Sequence, residues 1–164
     1  MMKLFNVVMV VLVAIGGMYL YKKYRVPPTI AFPELSLVDL EGKAVKLADF
    51  NKKHIFLNFY ATWCAPCRQE MPDLVSASKK LAGDNILFIA VSDESIDKIN
   101  RFRGKNESPI LFLQMNGKRE DVGVHTIPTS YLITKSGKVV YEKVGVEDWD
   151  SETMLNKMRD LAGS

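Results

Sequence analysis

Cys64 and Cys67 are the residues best suited to chemistry, and they are the only cysteines among the 164 residues. They lie in the sequence Trp63-Cys64-Ala65-Pro66-Cys67, where an apolar run gives way to a helical pattern. Two intervening residues place both sulfurs on the first turn of such a helix, close enough to form a disulfide. The helix N-terminus, with its unpaired N–H groups and positive dipole end, favours a thiolate at Cys64. The spacing therefore predicts a redox pair, with Cys64 as the nucleophile and Cys67 as the resolving thiol.

Metal binding is the alternative use of a C-x-x-C pair. A structural zinc site usually needs a second pair of ligands, and the chain offers only His54 and His125, without supporting spacing. Thiolate and imidazole ligands together suit copper, so a copper-binding chaperone using Cys64, Cys67 and His125 remains an alternative. Otherwise His125 is expected to be an exposed loop residue. We expect no resident metal or cofactor.

The elements that position the cysteines follow from the apolar pattern. His54–Tyr60 is a continuous apolar run, typical of a central strand buried on both faces, and a helix with a kink at Pro72 is expected from about Cys64 to Leu81. The other expected elements are a hairpin from Leu35–Leu40 and Val45–Leu47, strands at Ile86–Val91, Ile110–Met115, Ser130–Thr134 and Val139–Val144, and helices at Ser95–Phe102 and from Trp149 to Leu161. This alternation, ending in a hairpin, indicates an α/β fold.

Residues 1–24 are predicted to be a transmembrane anchor, followed by a proline-rich linker at 25–33 and a domain at 34–164. Between Lys3 and Lys22 lie 18 uncharged residues. A helix of that length spans roughly 27 Å, close to the thickness of a hydrocarbon core. A cleaved signal peptide is the alternative, since Ala14-Ile15-Gly16 loosely resembles a cleavage site.

Charge is unevenly distributed along the chain. The formal net charge is +3, but four of the 22 basic residues and none of the 19 acidic ones lie in residues 1–26. The rest of the chain is therefore nearly neutral, which argues against a nucleic-acid-binding surface. The positive charges after the apolar run weakly favour a cytoplasmic domain by the positive-inside rule.

The stretch LNFYATWCAPCRQEMP, residues 57–72, resembles the active-site segment of thioredoxin-fold proteins. More narrowly, it is similar to the TlpA/ResA/CcmG group of membrane-tethered thiol–disulfide oxidoreductases, which is related to the redoxins. Asn58 stands where thioredoxin has a buried aspartate, and Glu70 follows the second cysteine by three residues. The N-terminal hairpin and the long span from Cys67 to Pro128 also match the group.

The resemblance implies a thioredoxin-like α/β fold, a mixed sheet flanked by helices, with an N-terminal β-hairpin and a central insertion. It implies that the Ile127–Pro128 bond is cis and lies against the cysteine pair, so that the backbone of residue 127 pairs with an extended substrate segment. Trp63 is interpreted as a packing and partner-contact residue. Glu70 shares the helix side of Cys67 and is expected to exchange protons with the thiols, the alternative being a solvated glutamate.

The function implied by the resemblance is reduction of protein disulfides outside the cytoplasm. For the orientation in the membrane we give this implication more weight than the positive-inside rule, and we expect an extracytoplasmic domain. Implied partners are apocytochrome c as substrate and a membrane thiol transporter of the DsbD/CcdA kind as electron donor. Arg68 follows Cys67, so the chain lacks the heme-ligation motif C-x-x-C-H and heme would belong to a substrate. A disulfide-forming oxidant remains an alternative, since Ala65-Pro66 does not decide the reduction potential.

Overall fold

A computed structural model describes residue 9 and residues 13–18, 35–104 and 108–163. Residues 13–18 are helical, whereas most of the predicted anchor at 1–24 and all of the linker at 25–33 lie outside the described residues. Within the described part of the chain, no helix has both the length and the apolar character needed to cross a membrane.

In residues 35–104 and 108–163 the structure contains seven strands and three α-helices. The strands are β1 Leu37–Val38, β2 Ala44–Val45, β3 His54–Phe59, β4 Ile86–Ser92, β5 Leu111–Met115, β6 Thr129–Ile133 and β7 Val139–Val144. The helices are α1 Ala65–Lys80, α2 Ile96–Arg103 and α3 Glu152–Ala162, and short 3-10 helices occupy Leu47–Phe50, Ala82–Asp84 and Arg119–Val122. Each predicted strand and helix of the domain is confirmed within a few residues.

The seven strands form one mixed sheet in the order β2-β1-β5-β4-β3-β6-β7. The central strand β3 runs parallel to β4 and antiparallel to β6, and β4 runs parallel to β5. The β1–β2 hairpin extends the sheet beyond β5, and β6–β7 forms the hairpin at the other edge. The topology places the end of β3, which leads into the cysteine motif, near the middle of the sheet.

Strand β3 contributes to two hydrophobic clusters because its side chains alternate between the faces of the sheet. Phe56 packs on one face with residues of α1, α2 and α3. Ile55, Leu57 and Phe59 pack on the other face, where the 3-10 helices at 47–50 and 119–122 add partly buried apolar side chains. Asn58 has the parity of Phe56, which directs its polar side chain towards α1.

Candidate active site

Cys64 is the N-cap residue of α1 and is joined to Cys67 by a disulfide. Their Cα atoms are 5.3 Å apart, and the Cys67 N–H points at Cys64 Sγ with an N–S distance of 3.3 Å. Cys64 is 6% exposed and Cys67 is 0% exposed. The predicted helix start is confirmed, and Cys64 is the cysteine that an incoming partner can reach.

The Ile127–Pro128 peptide bond is cis, and its loop lies against the redox pair. The Ile127 carbonyl oxygen is 3.9 Å from Cys64 Sγ. The Pro128 carbonyl accepts the Gly145 N–H at 2.8 Å, which ties the loop to the end of β7. Among the described residues no hydrogen bond uses the Ile127 N–H. Within the described part of the chain, the residue predicted to pair with a substrate backbone therefore has an unused N–H donor, and its carbonyl lies next to Cys64.

Glu70 is a buried carboxylate that links α1 to the sheet and to the segment before α3. It is 1% exposed, Oε1 accepts the Asn58 amide at 2.9 Å, and Oε2 accepts the Trp149 indole N–H at 3.0 Å. The Asn58 amide also donates to the Ser130 hydroxyl at 2.9 Å. Glu70 lies on the buried side of α1 with Cys67, as the helical spacing predicted. The alternative of a solvated glutamate is wrong, because the side chain packs inside the protein.

The environment of Glu70 makes its protonation easier than that of an ordinary glutamate. Burial raises its pKa, since the charged form loses solvation there, and the nearby Asp73 acts in the same direction. The hydrogen bonds from Trp149 and Asn58 oppose burial by stabilising the carboxylate. Such a carboxyl group can hold a proton at a higher pH than a surface glutamate can.

Trp63 is the most accessible aromatic residue of the motif, with 62% of its surface exposed. Its neighbour Thr62 is fixed by two hydrogen bonds to the Glu94 carboxylate, one from the Thr62 N–H at 2.6 Å and one from the Thr62 hydroxyl at 3.0 Å. The guanidinium of Arg68 donates to the Thr62 carbonyl at 3.2 Å. Trp63 does not have the packing role expected of it, because the anchored loop leaves its ring exposed to solvent, and its role in partner contact stays a prediction.

The proposed copper ligands do not converge in this arrangement. In the described parts of the chain, one group of three acidic, histidine or cysteine side chains has its ligand atoms within 4.8 Å of one another, namely Asp73, Asp148 and Asp150. His125 is exposed, as expected for a loop histidine. The geometry therefore does not support copper binding by Cys64, Cys67 and His125.

Two features of the site were missed in the sequence. The sequence pattern places Trp149 on the apolar face of the last helix, whereas in the structure it precedes α3 and donates to Glu70, 79 positions away in the chain. The sequence pattern predicts no role for Glu94, which follows β4 and fixes the loop before Cys64. No local signal marks these partners, because the contacts are long-range.

A comparison with protein-family models matches residues 28–158 to the Redoxin family. The chain is 36% identical over 116 residues to thiol-disulfide oxidoreductase ResA of Bacillus thuringiensis subsp. konkukian, covering 69% of this chain and 67% of that protein. It is 32% identical over 151 residues to the thioredoxin-like protein YneN of Bacillus subtilis, covering 85% and 88%. A thiol:disulfide interchange protein of Chlorobium tepidum is similar in structure, with 27% identity, a TM-score of 0.62, and coverage of 85% and 99%.

Proposed function

This chain belongs to the Redoxin family and is a thiol–disulfide oxidoreductase, and from that premise we propose that it reduces protein disulfides outside the cytoplasm. The observation that carries the proposal is the asymmetry of the redox pair. Cys64 is reachable at the N-terminus of α1, whereas Cys67 is enclosed behind it. An asymmetric pair of this kind suits attack by one sulfur and resolution by the other.

Reduction proceeds through two exchanges. The Cys64 thiolate attacks one sulfur of the substrate disulfide, forming a mixed disulfide, and the other substrate sulfur leaves as a thiolate. The Cys67 thiolate then attacks Cys64 Sγ, which releases the second substrate thiolate and forms the Cys64–Cys67 disulfide. Two electrons pass from the protein to the substrate, and an external thiol donor must restore the dithiol.

The cis-proline loop supports a role in holding the substrate. Ile127 lies 63 positions from Cys64 in the chain but next to it in space, and its backbone N–H has no partner among the described residues, so an extended substrate segment could pair with it. Backbone pairing fixes a substrate without regard to its side chains and brings its disulfide into line for attack.

Glu70 supplies the proton relay in this proposal. Exchange requires that the thiol of Cys67 lose its proton before it attacks, and in this proposal Glu70, which is buried on the same side of α1, accepts that proton. The raised pKa of Glu70 brings it closer to the pKa of a thiol, which makes the transfer less uphill.

The proposal also includes a membrane anchor at the N-terminus and two partners. Val13, Ile15 and Met18 are more than half exposed, as the apolar surface of a membrane-inserted helix would be. We assign the catalytic domain to the extracytoplasmic side, apocytochrome c cysteines as a substrate, and a membrane transporter of the DsbD/CcdA kind as the electron donor. A reporter fused after residue 164 that is active only in the cytoplasm would overturn the orientation.

The deciding experiment measures the reduction potential of the Cys64–Cys67 pair in graded thiol–disulfide buffers, with free thiols counted by alkylation mass shift. A potential near or below about −230 mV supports a reductant. A potential above about −180 mV contradicts it and indicates an oxidant. The Cys67→Ser chain should trap a mixed disulfide with a substrate, and the matched Cys64→Ser chain should trap none.

A further inference from the structure

An open groove lies beside the redox disulfide, between the loop before Cys64 and one side of α2. Its volume is about 470 Å³ and it is lined by Thr62, Trp63, Glu94, Lys98, Arg101 and Phe102. Trp63 directly precedes Cys64, so a substrate segment that approaches Cys64 from this side must cross the groove.

The groove presents a fixed apolar surface. The ring of Phe102 packs against Tyr60 and Phe112, with centroid distances of 5.2 and 6.4 Å, so its position is set by the core. Trp63 lines the same groove with most of its surface exposed, on a loop that Glu94 fixes through Thr62. Exposed aromatic rings held in fixed positions are typical anchors of protein interfaces.

The charge of the groove is positive. Among the described residues that line the groove, Glu94 is the one carboxylate, and it already accepts two hydrogen bonds from Thr62 and pairs with Lys98 at 3.5 Å. Arg101 is exposed and has no ion pair among the residues that the structure describes. Arg68 does not line the groove, but its guanidinium donates to the carbonyl of the lining residue Thr62 and so adds a cation nearby. This cluster contrasts with a domain that is otherwise nearly neutral, so the excess is local.

We propose that this groove selects protein substrates with an acidic residue close to the cysteine that Cys64 attacks. The proposal deepens the proposed function and rests on it. An apolar side chain of the substrate packs between Trp63 and Phe102, and a neighbouring aspartate or glutamate pairs with Arg101. The guanidinium group suits this role because its planar fork of N–H donors matches the geometry of a carboxylate.

The test compares three peptides that each contain one intramolecular disulfide and differ only at a residue next to one cysteine, which is Glu, Gln or Lys. The reduced full chain, held in mild detergent, reacts with each peptide in single turnovers that are quenched and counted by alkylation mass shift. An exposed ion pair predicts that the Glu peptide reacts about 2- to 5-fold faster than the Gln peptide. The Lys peptide should be slowest, and about 0.5 M salt should reduce the preference.

Variants of α2 identify the group responsible. Arg101→Gln should bring the Glu-to-Gln rate ratio close to one, and Arg101→Glu should make the Lys peptide the fastest. Arg103→Gln is the matched control, since Arg103 is exposed on the same helix but does not line the groove. Because each ratio is taken within one variant, a general loss of reactivity cancels.

Equal wild-type rates for the three peptides would overturn this inference and leave the proposed function standing. The same holds if Arg103→Gln changes the ratio as much as Arg101→Gln. A reduced chain that reduces none of the peptides contradicts the proposed function itself, and the inference falls with it.

Discussion

Replacing Trp149 with phenylalanine tests whether the buried hydrogen bond to Glu70 controls the protonation of that carboxyl group. The substitution keeps an aromatic ring beside Phe56 and Tyr141 but removes the indole N–H that Glu70 Oε2 accepts at 3.0 Å. That bond opposes the effect of burial on the Glu70 pKa. Without it the pKa of Glu70 should rise further.

The expected loss of stability has two parts. A hydrogen bond to a buried charged group contributes about 1.5–3 kcal/mol to the free energy of unfolding, and a neutral one about 1 kcal/mol. The smaller ring of phenylalanine leaves roughly 40 Å³ unfilled, which costs about 1 kcal/mol at ~24 cal/mol per Å³. The substitution should therefore cost about 2.5–4 kcal/mol where Glu70 is ionised and about 2 kcal/mol where it is protonated.

The sign of the pH dependence follows from linkage. The folded pKa of Glu70 lies above its ordinary value of 4.5, so stabilisation by the bound proton is complete below that pH. It is lost as the pH rises through the folded pKa. Since Trp149→Phe raises that pKa further, the penalty should grow with pH, by about 1 kcal/mol between full protonation and full ionisation.

The assay is urea unfolding of the oxidised full chain in mild detergent, followed by circular dichroism across a pH series from acid to mildly alkaline. Phe56→Leu is the matched control, because its ring contacts Trp149 with centroids 4.9 Å apart but makes no hydrogen bond to Glu70. Its penalty should be constant with pH. If the Trp149→Phe penalty is equally constant, the hydrogen bond does not control Glu70 and the reasoning is refuted.

Three further predictions concern the groups around this site. Glu70→Gln should gain stability relative to wild type as the pH rises above 4.5, since glutamine cannot ionise, and equal differences at both ends of a urea-unfolding pH series would contradict this. Asn58→Asp places a second carboxylate where an amide now donates to Glu70 at 2.9 Å, so one of the two carboxyl groups should stay protonated near neutral pH and the chain should lose stability as the pH rises. Infrared carboxyl bands would report the retained proton, and two fully ionised groups would refute the coupling. Glu94→Gln weakens the hydrogen bonds to Thr62, so it should lower the free energy of unfolding by about 1–3 kcal/mol and speed hydrogen exchange of the Thr62 amide proton. Lys98→Gln removes only the exposed ion pair with Glu94, so it should leave that exchange rate nearly unchanged.

The metal-binding alternative shows why a pair of cysteines is ambiguous in a sequence. Thiolates close together suit both disulfide exchange and copper, and only the position of a third ligand separates the two uses. The distance of His125 from the cysteines depends on the conformation of the cis-proline loop. The position of His125 in the sequence does not determine that conformation. In the fold the Ile127 carbonyl, not the imidazole, lies 3.9 Å from Cys64 Sγ.

The redox pair itself followed from the sequence because its geometry is local. Three positions separate Cys64 from Cys67, and one helical turn brings their sulfurs together in any protein that starts a helix there. The strands and helices were also predictable, since their apolar periodicity repeats over neighbouring residues. Glu70 could be placed on the side of Cys67 for the same reason.

The environment of these groups was decided only by the tertiary structure. The partners of Glu70 come from β3 and from the segment before α3, and the Trp149 contact spans 79 positions. The groove beside Cys64 likewise combines the Trp63 loop with one face of α2. Local spacing determines which atoms can react with each other. The burial and charge around them depend on segments that are distant in the sequence and meet only in the folded sheet, and the desolvation that shifts a pKa arises from that folded environment.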